Sequence, residues 1–403
     1  MRQAPMFTPC PTERSKAIAD RVEAFVREVV APYERDPRNA GHGPTEELVR
    51  ELRARAREAG VMTPHILPDG SHLTQLETAA VLKRSALSPL GPVAVNTMAP
   101  DEGNMYLLGK VATPEQKRRF LDKLVSGEAR SAFFMTEPAE EGGAGSDPSM
   151  LQTIAVQQGD EWVINGRKMF ITGAEGAAVG IVMARTGSDD KVQSTMFLVD
   201  LPNPAIRIER VLDTIDNSMP GGHALIVIEN LRVPASQVLG EVNEGFRYAQ
   251  VRLSPARLSH CMRWHGCATR ANEIATAYAT RRKAFGKLLI DHEAVGFMLA
   301  ENLIDLQQAA LMIDWCAGVL DGGVLGTNES SMAKVAVSEA VYRVADRCVQ
   351  VMGGTGVSRD TIVEQVFREV RAFRIYDGPT EVHKWSLAKM IKRKTLNGEA
   401  SHG

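Results

Sequence analysis

Ser131-Ala132-Phe133-Phe134-Met135 marks the point where the texture of the chain changes. Before Arg130, apolar residues recur at helical spacing; from Ser131 onward they come in short β-type runs. These runs are Thr153 to Val156, Trp162-Val163-Ile164, Gly180-Ile181-Val182-Met183, Thr195-Met196-Phe197-Leu198-Val199 and Ala224-Leu225-Ile226-Val227-Ile228. Turn residues separate them: Gly159-Asp160, Asn165-Gly166, Pro202-Asn203-Pro204 and Gly221-Gly222. Asn165-Gly166 between two runs predicts a hairpin turn. Short strands with no helices between them predict an antiparallel barrel or sandwich rather than a doubly wound parallel sheet, and no G-x-G-x-x-G follows a strand.

Upstream, residues 1 to about 130 read as helices. Thr12 precedes a segment with Ile18, Val22, Phe25, Val26 and Val29 on one face, which Pro32 should close. A second helix is expected from near Thr45 to before Gly60. Thr74-Gln75-Leu76-Glu77 and Thr113-Pro114-Glu115-Gln116 are capping boxes, the latter with proline at the first helical position and its helix ending at Gly127. Ser88 to Gly103, rich in proline and glycine, should not form a regular helix. Downstream of about Gly245, Leu253 to Arg282, Asp291 to Leu320 and Asn328 to Met352 are long and amphipathic. A final helix follows Asp377. The expected fold is α+β and multidomain: an N-terminal α-helical domain (1–130), a middle antiparallel β-barrel or sandwich (131–244) and a C-terminal four-helix bundle (245–403).

At 403 residues the chain exceeds what one core usually holds. A net charge of -2 gives no reason to expect nucleic acid or an anionic membrane as partner. No apolar run reads as long enough to cross a bilayer, and residues 1–11 lack the charged start and apolar core of a secretory signal. Five cysteines (Cys10, Cys261, Cys267, Cys316, Cys348) lack paired spacing, so they read as reduced thiols in a cytoplasmic protein. His260 and His265 share a helix with Cys261 and Cys267, but the spacing fits no usual zinc pattern and packing is the expectation. No metal site is expected.

The chemistry should centre on Ile375-Tyr376-Asp377-Gly378-Pro379-Thr380-Glu381-Val382-His383. Gly-Pro breaks regular structure, so Asp377 is placed on a loop ahead of a helix. There a carboxylate can cap the helix or act as a general base. Other segments carry similar pairs of readings. The small-residue loop around Thr136 and Gly145-Ser146 can bring backbone N–H groups to a flat ring or phosphate, or can be a tight turn. Arg282 can fork onto a phosphate or be a solvated helix-end arginine, and Gly353 can be a helix C-cap. Arg257 divides between substrate binding and packing. His383 should face a cofactor or solvent.

Four motifs in order resemble the acyl-CoA dehydrogenase family over nearly the whole chain. Met135-Thr136-Glu137-Pro138 with Gly145-Ser146-Asp147 is similar to T-E-P-x-A-G-S-D. Trp162 to Lys168 with Ile171-Thr172-Gly173 is similar to W-x-I-N-G-x-K-x-x-I-T. Arg282-Lys283-Ala284-Phe285-Gly286 is similar to R-x-x-F-G, and Gln350 to Gly356 to Q-x-x-G-G-x-G. The resemblance implies FAD as cofactor, held by Met135, Thr136, Phe170, Thr172, Pro379 and Glu381. A neighbouring subunit would add Arg282, Phe285, Gln350, Gly353 and Gly354, so a homodimer or homotetramer is implied. Ser146, Arg257 and Gly378 would contact the acyl-CoA. Phe170 stands where the family usually has tryptophan, which keeps an aromatic wall but drops an N–H donor.

The resemblance further implies that Asp377 is the base removing the α-proton of an acyl thioester, with electrons passing to an electron-transfer flavoprotein. Most members have glutamate there; aspartate is one methylene shorter. D-G-P-x-E-V-H, with Arg257 to Arg263 and Gly221-Gly222-His223, resembles a branch that includes the dehydrogenase half of certain kinase–dehydrogenase fusions. This hints at a γ-hydroxy or γ-phospho acyl group. Some members carry the base on the helix that begins the bundle, where this chain has Ala256. Nitroalkane oxidases share the architecture and use an aspartate base, so a flavin oxidase is the alternative activity. Ala139-Glu140-Glu141-Gly142 lengthens the loop before Gly145 relative to the family pattern.

Overall fold

The computed structural model describes residues 12–39, 41–145, 147–187 and 193–397; Cys10 and Ser146 lie outside them. The chain forms two compact units, one of Met1–Asp20, Leu73–Pro89 and Arg257–Gly403, the other of Arg21–His72 and Leu90–Ala256.

The second unit is built on a mixed sheet. Its strands are β1 (Ser131–Phe134), β2 (Ile154–Gln158), β3 (Glu161–Thr172), β4 (Val179–Arg185), β5 (Ser194–Asp200), β6 (Ile206–Leu212), β7 (His223–Pro234) and β8 (Val238–Leu239). They run in the order β6-β7-β3-β2-β4-β5-β8, with β1 on β4. Most pairs are antiparallel, as expected, but β1 and β4 are parallel through Ser131↔Val179 to Phe134↔Val182, and β2 meets β4 in parallel at Ile154↔Arg185. β6 escaped the sequence reading because Arg207, Glu209 and Arg210 leave an edge strand mostly exposed.

The hairpin expected at Asn165-Gly166 is not there. The reversal falls at Gly159-Asp160, between Gln158 and Glu161. Asn165 and Gly166 lie inside β3 at a bulge against β7. The Asn165 side chain accepts from the Asn230 N–H at 2.7 Å. A Cβ on Gly166 would come within 2.5 Å of Thr153 Oγ1, so glycine serves close approach rather than turning.

In the helical part of this unit, Thr45 caps helix Glu46–Glu58 by accepting from the Leu48 N–H, as its position suggested. The Thr113 capping box is formed. The breaker reading of Ser88 to Gly103 fails at its end, because Asp101 opens helix Asp101–Val111. Gly103 is inside it, where a Cβ would touch Ala256 and Arg252, so its missing side chain permits a close helix contact. Pro32 does not close the first helix either. The helical path runs past Phe25 through Val26–Val30 to Arg35, with Pro32 in the first turn of its 3₁₀ end, where the missing N–H is tolerated.

The first unit is a helical bundle. Helix Gly245–Ala279 enters it from Arg257 and begins eight residues before the expected Leu253, carrying Pro255 inside. Helices Glu293–Asp321, Thr327–Met352 and Thr380–Leu396 follow. An unexpected helix, Val363–Phe373, packs on Thr327–Met352 through Val363, Val366, Val370 and Phe373. Helix Gln75–Ser85, started by the complete Thr74–Glu77 capping box, packs on Glu293–Asp321. Contrary to the expectation that no run could cross a bilayer, Glu293–Asp321 is long and apolar enough to do so by length and composition; here it pairs along Thr327–Met352. Cys261, Cys267, Cys316 and Cys348 are buried and unbridged, and burial pushes the Cys316 and Cys348 thiols up to about 12. Among the described residues no group of three or more His, Cys, Asp or Glu could hold a metal.

Candidate active site

The expected site residues fall into two sets, one in each unit. In the sheet unit, Met135 and Thr136 leave the end of β1 and run beside the bulged end of β3, where the Met169 N–H donates to the Thr136 carbonyl at 2.9 Å. Lys168 and Glu137 hold this crossing from beneath. The Lys168 ammonium donates to Glu137 Oε1 at 2.8 Å and to the Met135 carbonyl at 3.1 Å. Glu137 also accepts the N–H groups of Gln152 and Thr153. Burial alone would raise the Glu137 carboxyl, but Lys168 and the backbone donors outweigh it and hold it below the usual carboxylate range. Burial pulls Lys168 down to about 8 against its partner's attraction.

On that frame Phe170 adopts a left-handed backbone, φ +57°, and is 53% exposed. Such a conformation is strained for an aromatic residue, so the bulge holds the ring outward rather than letting it bury. Thr172, two residues on, bonds its hydroxyl to His223 Nδ1 at 2.9 Å, while His223 Nε2 lies 3.0 Å from Asp216 Oδ2. Since the carboxylate accepts, Nε2 carries a proton and Nδ1 accepts from Thr172 when the ring is neutral. The extra residues Ala139 to Gly142 form one 3₁₀ turn closed by a left-handed Gly142. The Glu137 N–H reaches across its base to the Ala144 carbonyl at 3.3 Å. Ala139 to Gly142 are therefore a self-contained turn beside Glu137.

In the helical unit, Asp377 adopts φ +53° and is followed by Gly378 at +100°. The N-cap of the helix that starts at Thr380 is Pro379, which makes no side-chain capping bond. The Asp377 carbonyl accepts from Arg257 Nε at 3.2 Å and lies 3.1 Å from His383 Nε2. The next carbonyl, of Gly378, accepts from Lys334 Nζ at 2.7 Å. Three donors from three helices thus pin two successive peptide groups. Arg257 grips the Asp377 backbone through Nε. His383 does not face solvent: the ring is 2% exposed and is held by Ser331 Oγ at 3.0 Å from Nδ1. Burial, with the Arg257 and Lys334 charges, pulls His383 down to about 4, so it is a neutral donor to the Asp377 carbonyl.

His260, assigned to packing from the sequence, is brought to this loop. Its Nε2 lies 3.4 Å from Asp377 Oδ2. The neighbouring His265 is the packing histidine, its Nε2 donating to the Leu306 carbonyl and burial pulling it down to about 4. No sequence signal separated the two, because the helical phase across the five positions from one to the other decides which faces the loop. Lys334 gave no signal either; it is a buried lysine within an ordinary amphipathic helix.

The remaining residues are on the surface of the helical unit. Phe285 and Gly286 form the tip of a two-stranded hairpin between Lys283–Ala284 and Lys287–Leu288, with φ +50° and +84°. Phe285 is 97% exposed, and Arg282 beside it is exposed as well. Gln350, Gly353 and Gly354 are exposed at the end of helix Thr327–Met352, where Gly353 is the C-cap. Pro379 is the N-cap of the last helix and Glu381 points to its exposed side.

Family models described as acyl-CoA dehydrogenase N-terminal, middle and C-terminal domains match residues 12–128, 132–224 and 243–392. The chain belongs to the acyl-CoA dehydrogenase family. Members are FAD-dependent oxidoreductases, and FAD is the cofactor of this chain. The acyl-CoA dehydrogenase family member 11 of Gallus gallus is 34% identical over 95% of this chain and 52% of its own length. The Mycobacterium tuberculosis protein named "Probable acyl-CoA dehydrogenase FadE2" is 36% identical over 85% of each chain. The chain thus spans about half the length of the family-member-11 relatives it matches. Among solved structures, an acyl-CoA dehydrogenase-type chain from Mycobacterium abscessus superposes with a TM-score of 0.87 at 34% identity, covering 96% of this chain and all of that one. Butyryl-CoA dehydrogenase from Megasphaera elsdenii gives 0.82 at 26% identity, covering 95% and 99%. The acyl-CoA dehydrogenase cofactor suits the residues present: an outward aromatic ring on a rigid bulge, the Thr172 hydroxyl, and an exposed arginine for phosphate.

Proposed function

We propose that the protein oxidises an acyl-CoA thioester to the trans-2-enoyl thioester, with Asp377 as the base, and passes the electrons to an electron-transfer flavoprotein. The observation that carries this reading is the Asp377 loop. Its backbone is fixed from three sides by Arg257, His383 and Lys334, and His260 Nε2 lies 3.4 Å from its carboxylate. A base must be aimed before the substrate arrives, and pinned carbonyls keep the peptide from turning when the α-carbon approaches.

Asp377 takes the α-proton, breaking one C–H bond, while the β-hydrogen leaves as hydride and the C–C bond becomes double. Bound FAD supplies the two-electron acceptor for that hydride. The Asp377 N–H, one peptide before the pinned carbonyls, is the donor assigned to the thioester oxygen, whose negative charge grows as the proton leaves. An acyl chain that expels water around the carboxylate raises its proton affinity at the moment it is needed. In the sheet unit, Met135, Thr136, Phe170 and Thr172 are assigned to the flavin ring. Arg282, Phe285, Gln350, Gly353 and Gly354 are assigned to FAD of a second copy, a role that suits a 97% exposed phenylalanine on a rigid tip. We assign the enzyme to the cytoplasm and to a homodimer or homotetramer.

Asp377→Asn tests the reading. The variant should keep its yellow flavin and lose on the order of 10²–10⁴-fold in the rate at which acyl-CoA bleaches it anaerobically. Near wild-type bleaching would refute it. Rapid peroxide formation in air by the wild type would move the activity to the oxidase class.

A further inference from the structure

His260 lies on helix Gly245–Ala279, 7% exposed, with the rings of Tyr376 and Phe373 at centroid distances of 4.9 and 6.0 Å. Its Nδ1 is 3.1 Å from Arg263 Nη2. A guanidinium has donors and no acceptor, so Nδ1 must accept and the proton of the neutral ring belongs on Nε2. Nε2 is the atom 3.4 Å from Asp377 Oδ2. Arg263 therefore selects the tautomer that turns an N–H toward the carboxylate. Tyr376, which takes a hydrogen bond from Trp264 Nε1, closes the side of the imidazole and keeps it from swinging away.

We propose that His260, oriented by Arg263, is the positioning residue of the Asp377 carboxylate. The inference rests on reading Asp377 as the base and deepens it. An aspartate has one methylene fewer than glutamate, so its carboxylate is confined closer to the backbone and depends more on what meets it there. A fixed N–H at Oδ2 restricts χ2 and favours the ionised form. At 3.4 Å the contact is long for a hydrogen bond and shortens with a small rotation of either side chain. Of the other charged or titratable groups packed around the loop, Arg257 and Lys334 also act on Asp377 through their charges, and their hydrogen bonds go to the backbone. Arg257 and His383 hold the Asp377 carbonyl, Lys334 holds that of Gly378, and Glu339 is engaged by Thr380 and Arg374. Cys261, next to His260 in sequence, is kept a neutral thiol by burial.

The test uses the FAD-loaded protein with carbon-13 in the aspartate carboxyls, the Asp377 band being assigned by its loss in Asp377→Asn. Its titration is followed by difference infrared spectroscopy. His260→Phe removes the donor and should raise the titration midpoint by about one pH unit. His260→Gln, whose amide can take the place of Nε2, should return it most of the way. His260→Asn, which keeps an amide toward Arg263 but withdraws the donor from Oδ2, should rise like the phenylalanine variant. Equal midpoints in wild type and in whichever donor-less variant folds would overturn the proposal. The acid limb of kcat/KM should move with the midpoint, with kcat lowered and KM held. A midpoint that shifts while no acyl-CoA bleaches the flavin would remove Asp377 as the base and leave its link to His260 standing.

Discussion

Lys334 Nζ donates to the carbonyl of Gly378 at 2.7 Å, from a side chain fully buried in the helical bundle. A buried ammonium whose bond goes to a backbone carbonyl is there to hold that carbonyl, and the carbonyl belongs to the residue after Asp377. Burial, aided by the Arg257 charge and opposed by Asp377, pulls Lys334 down to about 8.

That shift has a sign. Between about pH 8 and 10.5 the unfolded chain keeps a proton that folded Lys334 has released, so this group makes stability rise with pH across the window. Below it both states are protonated and the burial penalty is fully present. Lys168 acts the same way. Lys334→Met should therefore flatten, without abolishing, the rise in urea midpoint between pH 8 and 10. It should also lower kcat, since Gly378 loses its donor. An unchanged slope would show that Lys334 titrates normally.

The Lys168–Glu137 pair should behave as a unit. Removing one member leaves a buried charge alone, which costs about 3–5 kcal/mol. Glu137→Gln and Lys168→Met should each lower the thermal midpoint more than the double variant does. Because Glu137 also anchors Gln152 and Thr153, and Lys168 the Met135 carbonyl, both single variants should retain less FAD through gel filtration. Additive losses in the double variant would contradict the coupling.

Gly378→Ala places a Cβ within 2.6 Å of His383 Nε2, at a φ of +100°. The strain is about 1–3 kcal/mol. The damage falls where His383 meets the Asp377 carbonyl, so anaerobic flavin bleaching should slow by more than the stability loss accounts for. A variant that is less stable yet bleaches at the wild-type rate would show that the loop tolerates displacement.

Phe285 makes a contrasting case. It buries almost nothing within the chain, so Phe285→Ala should leave unfolding of the apoprotein within about 0.5 kcal/mol of wild type. FAD affinity of the assembled enzyme should fall, as read by flavin release on dilution. An apoprotein strongly destabilised by the change would place the ring inside its own subunit.

Local chemistry was legible wherever a few neighbouring residues settle the outcome. The Thr74 and Thr113 capping boxes, the cap at Thr45, the C-cap at Gly353 and five of the longer strands follow from short-range hydrogen bonding and side-chain alternation. What failed were breaker residues whose role depends on a distant partner. Gly166 looks like a turn until Thr153 is found against it, and Gly103 looks like part of a non-helical stretch until Ala256 and Arg252 are packed on it. β6 was hidden because an edge strand does not need an apolar face.

By itself the sequence determined the order of helical and β segments, the family, and Asp377 as the acidic residue on a loop before a helix, since each is encoded in residues close together. Only tertiary structure decided what holds that aspartate. Arg257, His260, Lys334 and His383 come from three helices up to 126 residues apart, and which face of each helix meets the loop depends on how the bundle packs. A rotation of one residue, about 100° of helical phase, would exchange a positioning group for a packing one.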